Sequence, residues 1–212
     1  MNSAGPIEAV LWDIGGVLLD WDARHLYRKL FADEAEMERF LAEVCTMEWH
    51  AAHDRGVRFA QSCPELACAH PEYAAEIMAW GDRSAEMDRG EISGSVAVLA
   101  ELRAHGVPCW AITNMEHETY PRRVARFPFM SWFDGTVVSA HEGVAKPDRR
   151  LYEIALQRFA LDPPSTLTID DSERNLRTAA SLGLQTLHFH SPEQLRADLE
   201  SLGLLPSARA RR

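Results

Sequence analysis

The chain has 212 residues, of which 46% are hydrophobic and 25% are charged, so it is long enough for one sizeable globular core. It carries 22 Lys and Arg residues against 32 Asp and Glu residues, which gives a formal net charge of −10. This balance argues against a general nucleic-acid or anionic-membrane surface, because phosphate groups would be repelled at long range. No apolar run approaches the ~18 residues that a membrane helix needs, and the N-terminus does not have the pattern of a signal peptide. We therefore expect a cytoplasmic location.

The cysteines point to the same kind of compartment. Cys45, Cys63, Cys68 and Cys109 lack the spacing of a zinc site and lie mostly in apolar or helix-like surroundings. Reduced, buried thiols are therefore expected, which fits a reducing compartment.

Short apolar runs bounded by turn residues predict five strands, at Ala9–Trp12, Pro108–Ile112, Thr136–Val138, Thr166–Ile169 and Gln185–Phe189. Helices alternate with the later strands, over Ser95–His105, Arg149–Phe159, Glu173–Leu182 and a last helix that starts at Ser191-Pro192-Glu193. Alternation of buried strands with helices predicts an α/β fold with a doubly wound, Rossmann-like parallel sheet.

The alternation stops between about Asp22 and Glu91, where no strand is convincing. Helix-like segments occupy this stretch, at His25–Ala32, Glu34–Val44 and Pro71–Trp80. We therefore expect residues 22–91 to form a helical cap inserted after the first strand, residues 1–21 and 92–206 to form the α/β core, and residues 207–212 to be a basic tail. A cap at this place creates a cleft at the carboxyl ends of the strands, where open α/β sheets bind ligands.

Polar residues follow the first two of these strands. Asp13 comes directly after the first strand and precedes Gly15 and Gly16, where the backbone can turn closely around a ligand. Thr113 and Asn114 follow the second strand and suit an oxyanion. Taken singly, each pattern is also typical of a turn or a helix cap.

Charged residues follow the third and fourth strands. Lys146 stands before Pro147 at the start of a helix, where a point charge can hold an anionic nucleophile and a phosphoryl oxygen together. Asp170 and Asp171 come directly after a buried run, and paired hard oxygen ligands of this kind suit Mg²⁺. A solvated lysine and a double helix cap are the ordinary structural explanations of these two patterns.

The order of these residues resembles the motif order of the haloacid dehalogenase-like (HAD) hydrolases. The resemblance covers nearly the whole chain, ends in Asp-Asp-Ser-x-x-Asn at residues 170–175, and extends to the C1-type helical cap. It favours the subgroup that includes 2-haloacid dehalogenases and small-molecule phosphatases. It implies that Asp13 is a nucleophile forming a covalent aspartyl intermediate and that Lys146 orients Asp13 and offsets its charge.

The resemblance also implies a ligand set and a cofactor. Thr113 and the backbone of Asn114 would bind the oxygens of the transferring group, beside the backbone at Gly16. Mg²⁺ would be held by Asp13, the carbonyl of Gly15, Asp170 and Asp171. Repulsion between a phosphoryl group and the Asp13 carboxylate makes such a cation and Lys146 physically necessary.

One position departs from the family pattern. Most HAD phosphatases carry a general acid and base two residues after the nucleophile, where this chain has Gly15. Loss of such a group costs roughly 10²–10⁴-fold in rate. Haloacid dehalogenases also lack it and need no metal, so metal-independent dehalogenation is the main alternative, and a HAD protein that binds a ligand without turnover is another. The intact Asp170-Asp171 pair favours the phosphatase, because three carboxylates without a cation would repel one another.

The predicted cap also contains candidate specificity residues. Arg55, followed by Gly56, is the predicted substrate-facing residue, whereas His50 and His53 are expected to be surface or cleft-lining histidines. The expected substrate is a small anionic metabolite, foremost a phosphomonoester. Neither a nucleic-acid nor a membrane partner is expected, and the sequence does not predict the oligomeric state.

Overall fold

The computed structural model describes residues 5–206, so the predicted tail at residues 207–212 lies outside the described residues. The strands in chain order are β1 (Ala9–Trp12), β2 (Leu19–Trp21), β3 (Asp88–Glu91), β4 (Cys109–Thr113), β5 (Gly135–Val138), β6 (Thr166–Asp170) and β7 (Gln185–His188). Five of them form a parallel sheet in the order β5-β4-β1-β6-β7. The predicted doubly wound α/β fold is confirmed.

The helices belong to two groups, one between β2 and β3 and one that alternates with the later strands. The first group is α1 (Ala23–Tyr27), α2 (Glu34–Glu43), α3 (Met47–His53), α4 (Phe59–Ala69) and α5 (Ala74–Asp82). The second group is α6 (Ser93–Ala104), α7 (Thr119–Arg126), α8 (Ser139–Glu142), α9 (Arg149–Arg158), α10 (Glu173–Ser181) and α11 (Pro192–Ser201). No helix among residues 5–206 is long and apolar enough to cross a membrane.

Both faces of the parallel sheet are covered, because successive residues of a strand point to opposite sides. Val10 and Trp12 of β1 pack into one hydrophobic cluster with apolar residues of α6 and α11. Leu11, between them, packs on the other face with residues of α9 and α10. All four residues of β1 are buried, which places this strand at the centre of the core.

Residues 23–87, called here the helical segment, have a hydrophobic cluster of their own. Its members are mainly aromatic and apolar side chains of α1, α2, α4 and α5, among them Tyr27, Phe40 and Trp80. The ring centroids of Tyr27 and Phe40 lie 5.0 Å apart, and those of Tyr27 and Trp80 lie 5.7 Å apart. The segment follows β1 and precedes β4, at the place predicted for a cap. That it acts as a separate domain stays a prediction.

The prediction that residues 22–91 lack strands was wrong at the segment's end. β3 lies within this stretch and pairs antiparallel with β2, so the chain leaves and re-enters the core through a two-stranded ribbon. Neither Leu-Asp-Trp nor Asp-Arg-Gly-Glu is an apolar run, and their pairing depends on a contact between residues almost seventy positions apart. Helix α4 was also missed, because Pro64 lies inside it and polar residues interrupt its apolar pattern.

Local capping signals explain several helix ends. Asp22 caps α1 by accepting from the Arg24 N–H, and Ser191 caps α11 by accepting from the Gln194 N–H, both as expected from their positions before a helix. The helix predicted from His25 instead spans Ala23–Tyr27 and gives way to turns. The four cysteines are free thiols, and Cys45, Cys63 and Cys109 are buried, but Cys68 is exposed, contrary to expectation.

Candidate active site

The carboxyl ends of β1, β4 and β6 bring four of the predicted site residues into one buried cluster. Asp13 directly follows β1, and its N–H donates to the Ile169 carbonyl at 2.9 Å, which extends the pairing of β1 with β6. Thr113 ends β4 and Asp170 ends β6. Exposure is at most 7% for Asp13, Thr113, Asp170 and Lys146.

Lys146 is the positive charge of this cluster. Its Nζ lies 2.8 Å from Asp13 Oδ2 and 2.7 Å from Asp170 Oδ2. The side chain of Asn114 holds the Lys146 backbone, because Oδ1 accepts from the Lys146 N–H at 2.8 Å and Nδ2 donates to the Lys146 carbonyl at 3.0 Å. Burial opposes the charge on Lys146, but the carboxylates of Asp13 and Asp170 outweigh this effect and raise its pKa, so the ammonium group stays charged.

Asp170 is held by more partners than any neighbouring carboxylate of the cluster. Oδ1 accepts from the Ser172 N–H at 2.9 Å and from Asn175 Nδ2 at 2.9 Å, while Oδ2 accepts from Lys146 Nζ. The Ser172 side chain makes no cap hydrogen bond to α10, although its backbone N–H is bound by Asp170. Asn175 was not predicted as a site residue, although its spacing of five after Asp170 on α10 is the signal that indicates this contact.

Asp13, Asp170 and Asp171 form the group of acidic side chains in the cluster. Each offers a carboxylate oxygen, and these oxygens lie within 4.8 Å of one another. Burial raises the pKa of Asp13 well above its ordinary value, and the charges of Asp170 and Asp171 raise it further, whereas Lys146 opposes this shift. Burial and the charge of Asp170 also raise the pKa of Asp171. One lysine thus faces three carboxyl groups, and a divalent cation with oxygen ligands is the partner that this donor set fits.

The two glycines after Asp13 differ in what surrounds them. Gly16 has φ +75°, and a Cβ there would meet the Asp171 carboxylate, so only glycine fits without moving Asp171. The Gly16 N–H donates to the Leu19 carbonyl at 2.9 Å, so this backbone group takes part in the turn. At Gly15, by contrast, a Cβ would have no heavy atom within 4 Å.

The helical segment meets the core beside Asn114. A cavity of about 30 Å³ lies between them and is lined by polar groups from both sides, namely His50, Asp54, Ser84, Asn114, Glu116, Thr119 and Arg123, with apolar walls from Trp21, Phe59, Trp80, Met87 and Met115. Arg123 of α7 binds Asp88 of β3 through two hydrogen bonds of 2.8 and 2.7 Å. Neither Asp54 nor Glu116 carries a sequence signal, because each stands alone in a helical or loop context without a motif.

The residues predicted in the helical segment lie in three different environments. Arg55 is exposed, and the structure does not bring it into the carboxylate cluster, so its contact with substrate stays a prediction. The expectation of a surface or cleft-lining position was wrong for His53, which is fully buried and bonded through Nε2 to Ser62 Oγ at 2.6 Å. His50 lines the cavity, and burial lowers its pKa to about 3, so its imidazole is neutral.

Two curated relatives align with the chain over very different shares of their length. The sesquiterpene phosphatase of Aspergillus oryzae is 25% identical over 183 residues, which cover 86% of this chain and 89% of that protein. The mouse acyl-CoA dehydrogenase family member 10 is 35% identical over 104 residues, which cover 49% of this chain and 10% of that protein. The matched part therefore spans only a tenth of the length of the second relative.

Solved structures share the fold at lower sequence identity. A HAD family enzyme from Bacteroides thetaiotaomicron, in complex with magnesium and inorganic phosphate, has a TM-score of 0.66 at 20% identity and covers 87% of this chain and 95% of its own. An L-2-haloacid dehalogenase from Xanthobacter autotrophicus, with chloropropionic acid covalently bound, has a TM-score of 0.63 at 17% identity and covers 94% and 85%. At these identities the likeness shows the fold.

The match to a family model extends over most of the chain. The model of the haloacid dehalogenase-like hydrolases matches residues 7–183, which include Asp13, Lys146 and the acidic pair after β6. The matched range also contains the helical segment and four of the five strands of the parallel sheet in full. The chain belongs to the haloacid dehalogenase-like hydrolases.

Proposed function

We propose that this hydrolase is a Mg²⁺-dependent phosphatase that acts on a small phosphomonoester through an aspartyl intermediate on Asp13. The observation that carries the proposal is the group of three carboxyl groups, Asp13, Asp170 and Asp171, around a single lysine. Mg²⁺ bound there would neutralise the negative charge of the carboxylates and of the incoming phosphoryl group. The sesquiterpene phosphatase, which aligns over 89% of its length, supports phosphoryl transfer.

Asp13 has the contacts that a nucleophile at this position needs. Its Oδ1 accepts from the Ile14 N–H at 2.6 Å and its Oδ2 faces Lys146 Nζ at 2.8 Å, which fixes the orientation of the carboxylate. An ionised carboxylate has about four acceptor sites, so each oxygen keeps one that is not used by these contacts. One oxygen would attack phosphorus and form the new O–P bond while the bond from phosphorus to the leaving oxygen breaks. Water would then cleave the phosphoaspartyl group and release inorganic phosphate.

Lys146, Thr113 and Asn114 would prepare the substrate for this step. The Lys146 ammonium group offsets the charge of Asp13 and can reach a phosphoryl oxygen from the same position. The Thr113 hydroxyl makes only a long contact of 3.5 Å, to the Asn114 carbonyl, and would bind a second phosphoryl oxygen together with the Asn114 backbone. The remaining predicted ligands, the Gly15 carbonyl for Mg²⁺ and Arg55 and Gly16 for the substrate, stay predictions.

Dehalogenation is the second candidate, because Gly15 provides no acid for a leaving group and a chloride ion needs none. The dehalogenase of known structure shares the fold with this chain. Against it, Asp13, Asp170 and Asp171 would be three neighbouring carboxyl groups with one lysine between them if no cation binds.

One paired assay separates the candidates. The purified protein is incubated with p-nitrophenyl phosphate, or with 2-chloropropionate, in the presence of Mg²⁺ or of a chelator. We expect phosphate release that requires Mg²⁺ and that falls by at least about 10⁴-fold in Asp13→Asn. The matched control is Asp82→Asn, at an exposed carboxylate of the helical segment, which should keep wild-type activity. Chloride release without metal would instead establish the dehalogenase. The absence of both products with folded protein would favour a protein that binds a ligand without turnover.

A further inference from the structure

In the proposed phosphatase, each side chain of the carboxylate cluster already has another role than protonating a leaving alkoxide. This point rests on the proposed phosphatase function. Asp13 is the attacking group and Lys146 is held charged between two carboxylates. Asp170 is bound by Lys146, Ser172 and Asn175, and Asp171 is a proposed ligand of Mg²⁺. Gly15 has no side chain at the position where the family usually has an acid. A proton donor for an ordinary alcohol must therefore come from outside the cluster.

Asp54 lies on the opposite wall of the cleft, at the C-terminal end of α3. It is only 8% exposed and lines the small cavity together with Asn114, Met115 and Glu116 of the core. Among residues 5–206, no hydrogen bond or ion pair occupies its carboxyl group. A carboxyl group that is buried, unbonded and directed into a polar cavity beside the predicted phosphoryl site is placed for a role in substrate turnover.

Contacts of the following turn fix the position of Asp54 against the core. Arg58 Nη1 donates to Glu118 Oε1 at 2.9 Å across the interface. A Cβ at Gly56, where φ is +101°, would lie 3.2 Å from the Ala140 carbonyl oxygen and 3.6 Å from His117 Nε2, so this turn approaches the core backbone closely. The turn that follows Asp54 thus lies against the core at Gly56 and Arg58.

The electrostatic surroundings favour a protonated Asp54 at moderately acid pH. Burial raises its pKa to about 6, and the charges of Lys146, Arg123 and Arg55 limit the shift, while Glu116 adds to it. Other titratable side chains on the elements around it include His50, His53, His117, Glu118 and Arg58. A dianionic phosphomonoester in the cleft adds negative charge, which moves the pKa of this carboxyl group further upward.

We propose that Asp54 is the general acid and general base of this enzyme, supplied by the helical segment in place of a side chain at position 15. While Asp13 forms its bond to phosphorus, the Asp54 carboxyl proton passes to the departing oxygen, so that an alcohol leaves and Asp54 becomes a carboxylate. That carboxylate then takes a proton from the water that attacks the phosphoaspartyl group. Phosphate is released, and Asp13 and Asp54 return to their initial states.

The test compares leaving groups, because an acid matters only when the departing oxygen is basic. Initial rates with Mg²⁺ are measured on p-nitrophenyl phosphate, whose phenolate leaves without help, and on glycerol phosphate, whose alkoxide does not. For Asp54→Asn we expect kcat on glycerol phosphate to fall by roughly 10²–10⁴-fold, and kcat on p-nitrophenyl phosphate to change by much less. Asp54→Glu should recover part of the lost activity. Equal losses on both substrates, or no loss, would overturn the proposal.

The pH profile and a second variant keep the test independent of a folding defect. In wild type, kcat on glycerol phosphate should decline as pH rises through the pKa of Asp54, because the acid form is lost, and this alkaline limb should be absent in Asp54→Asn. Since position 15 has open space around a Cβ, the double variant Gly15→Asp/Asp54→Asn should hydrolyse glycerol phosphate faster than Asp54→Asn alone. Failure of this rescue would count against a proton-transfer role.

Glu116→Gln is the matched variant, because Glu116 lines the same cavity but its Oε2 accepts from the Thr119 N–H and hydroxyl group. A leaving-group-dependent loss in Glu116→Gln and none in Asp54→Asn would assign the acid to Glu116 and overturn the proposal. If wild type hydrolyses neither phosphate ester, the proposed phosphatase function itself is refuted, which is a different result from a failure at Asp54.

Discussion

Asp13, Lys146 and Asp170 lie buried together at the carboxyl ends of the strands, whereas the helical segment buries a cluster of aromatic rings. In the first region each charge contacts an opposite charge at 2.7 or 2.8 Å. In the second, Tyr27, Phe40 and Trp80 are at most 1% exposed. The free-energy cost of desolvating buried charges offsets most of the attraction between them, whereas burial of aromatic surface stabilises the folded state directly. The ion pairs of the charged cluster therefore add little net stability, whereas the aromatic cluster stabilises the fold.

The largest effect on activity and stability is expected for a substitution in the charged cluster, at Lys146. Lys146→Met leaves Asp13 and Asp170 buried without a positive partner, so activity should be lost and the free energy of unfolding should fall by about 3–5 kcal/mol at neutral pH. Burial and the neighbouring carboxylates raise the pKa of Asp13, so protonation relieves the unpaired charge as pH falls. In urea titrations the stability loss should therefore shrink as pH falls through the raised pKa of Asp13.

Lys29→Met is the control for that variant. Lys29 Nζ lies 2.8 Å from Glu86 Oε2, but its side chain is 53% exposed. An exposed pair of this kind is worth about 0–1 kcal/mol, so stability should change little at any pH. Equal losses in the two lysine variants would show that burial of the charged cluster has no special cost.

A substitution in the aromatic cluster should change the free energy of unfolding through lost packing alone. Phe40 contacts Tyr27, Phe31 and Tyr73 at ring-centroid distances of 5.0–5.3 Å, and its replacement by alanine leaves a cavity. We expect Phe40→Ala to lower the free energy of unfolding by about 3–5 kcal/mol, without a pH dependence, while phosphatase activity per folded molecule is retained. Met47→Ala, at a side chain that is 57% exposed, is the control and should have a small effect in the same urea titration. A strong loss of kcat in folded Phe40→Ala would show instead that the two regions are coupled.

The smallest change concerns Gly16, whose backbone faces the Asp171 carboxylate. In Gly16→Ala a Cβ meets the Asp171 carboxylate and the residue must keep φ at +75°, so we expect a stability loss of about 1 kcal/mol and weaker Mg²⁺ binding. Gly15→Ala meets no heavy atom within 4 Å and should alter neither quantity. Calorimetric titration with Mg²⁺ compares the pair, and indistinguishable affinities would show that Asp171 does not hold the metal.

Much of the fold and the core of the candidate site could be predicted because their signals are local. Apolar runs identified the strands of the parallel sheet to within a residue or two, and Asp22 and Ser191 marked helix starts through their own hydrogen bonds. The acidic pair, Lys146 and Asp13 follow strands whose carboxyl ends meet at one edge of a parallel sheet, so their proximity follows from the order of the elements.

What the sequence by itself determined is the sheet, the helical segment and the set of residues that gather at the strand ends. Only the tertiary structure decided that β2 pairs with β3, that Asn114 and Asn175 hold Lys146 and Asp170, and that Asp54 rather than Arg55 is buried at the cleft. The physical reason is the distance along the chain over which each interaction acts. Hydrophobic periodicity and capping act within a few residues, whereas the burial, charge and partners of these side chains depend on segments that are distant in the chain and adjacent only after folding.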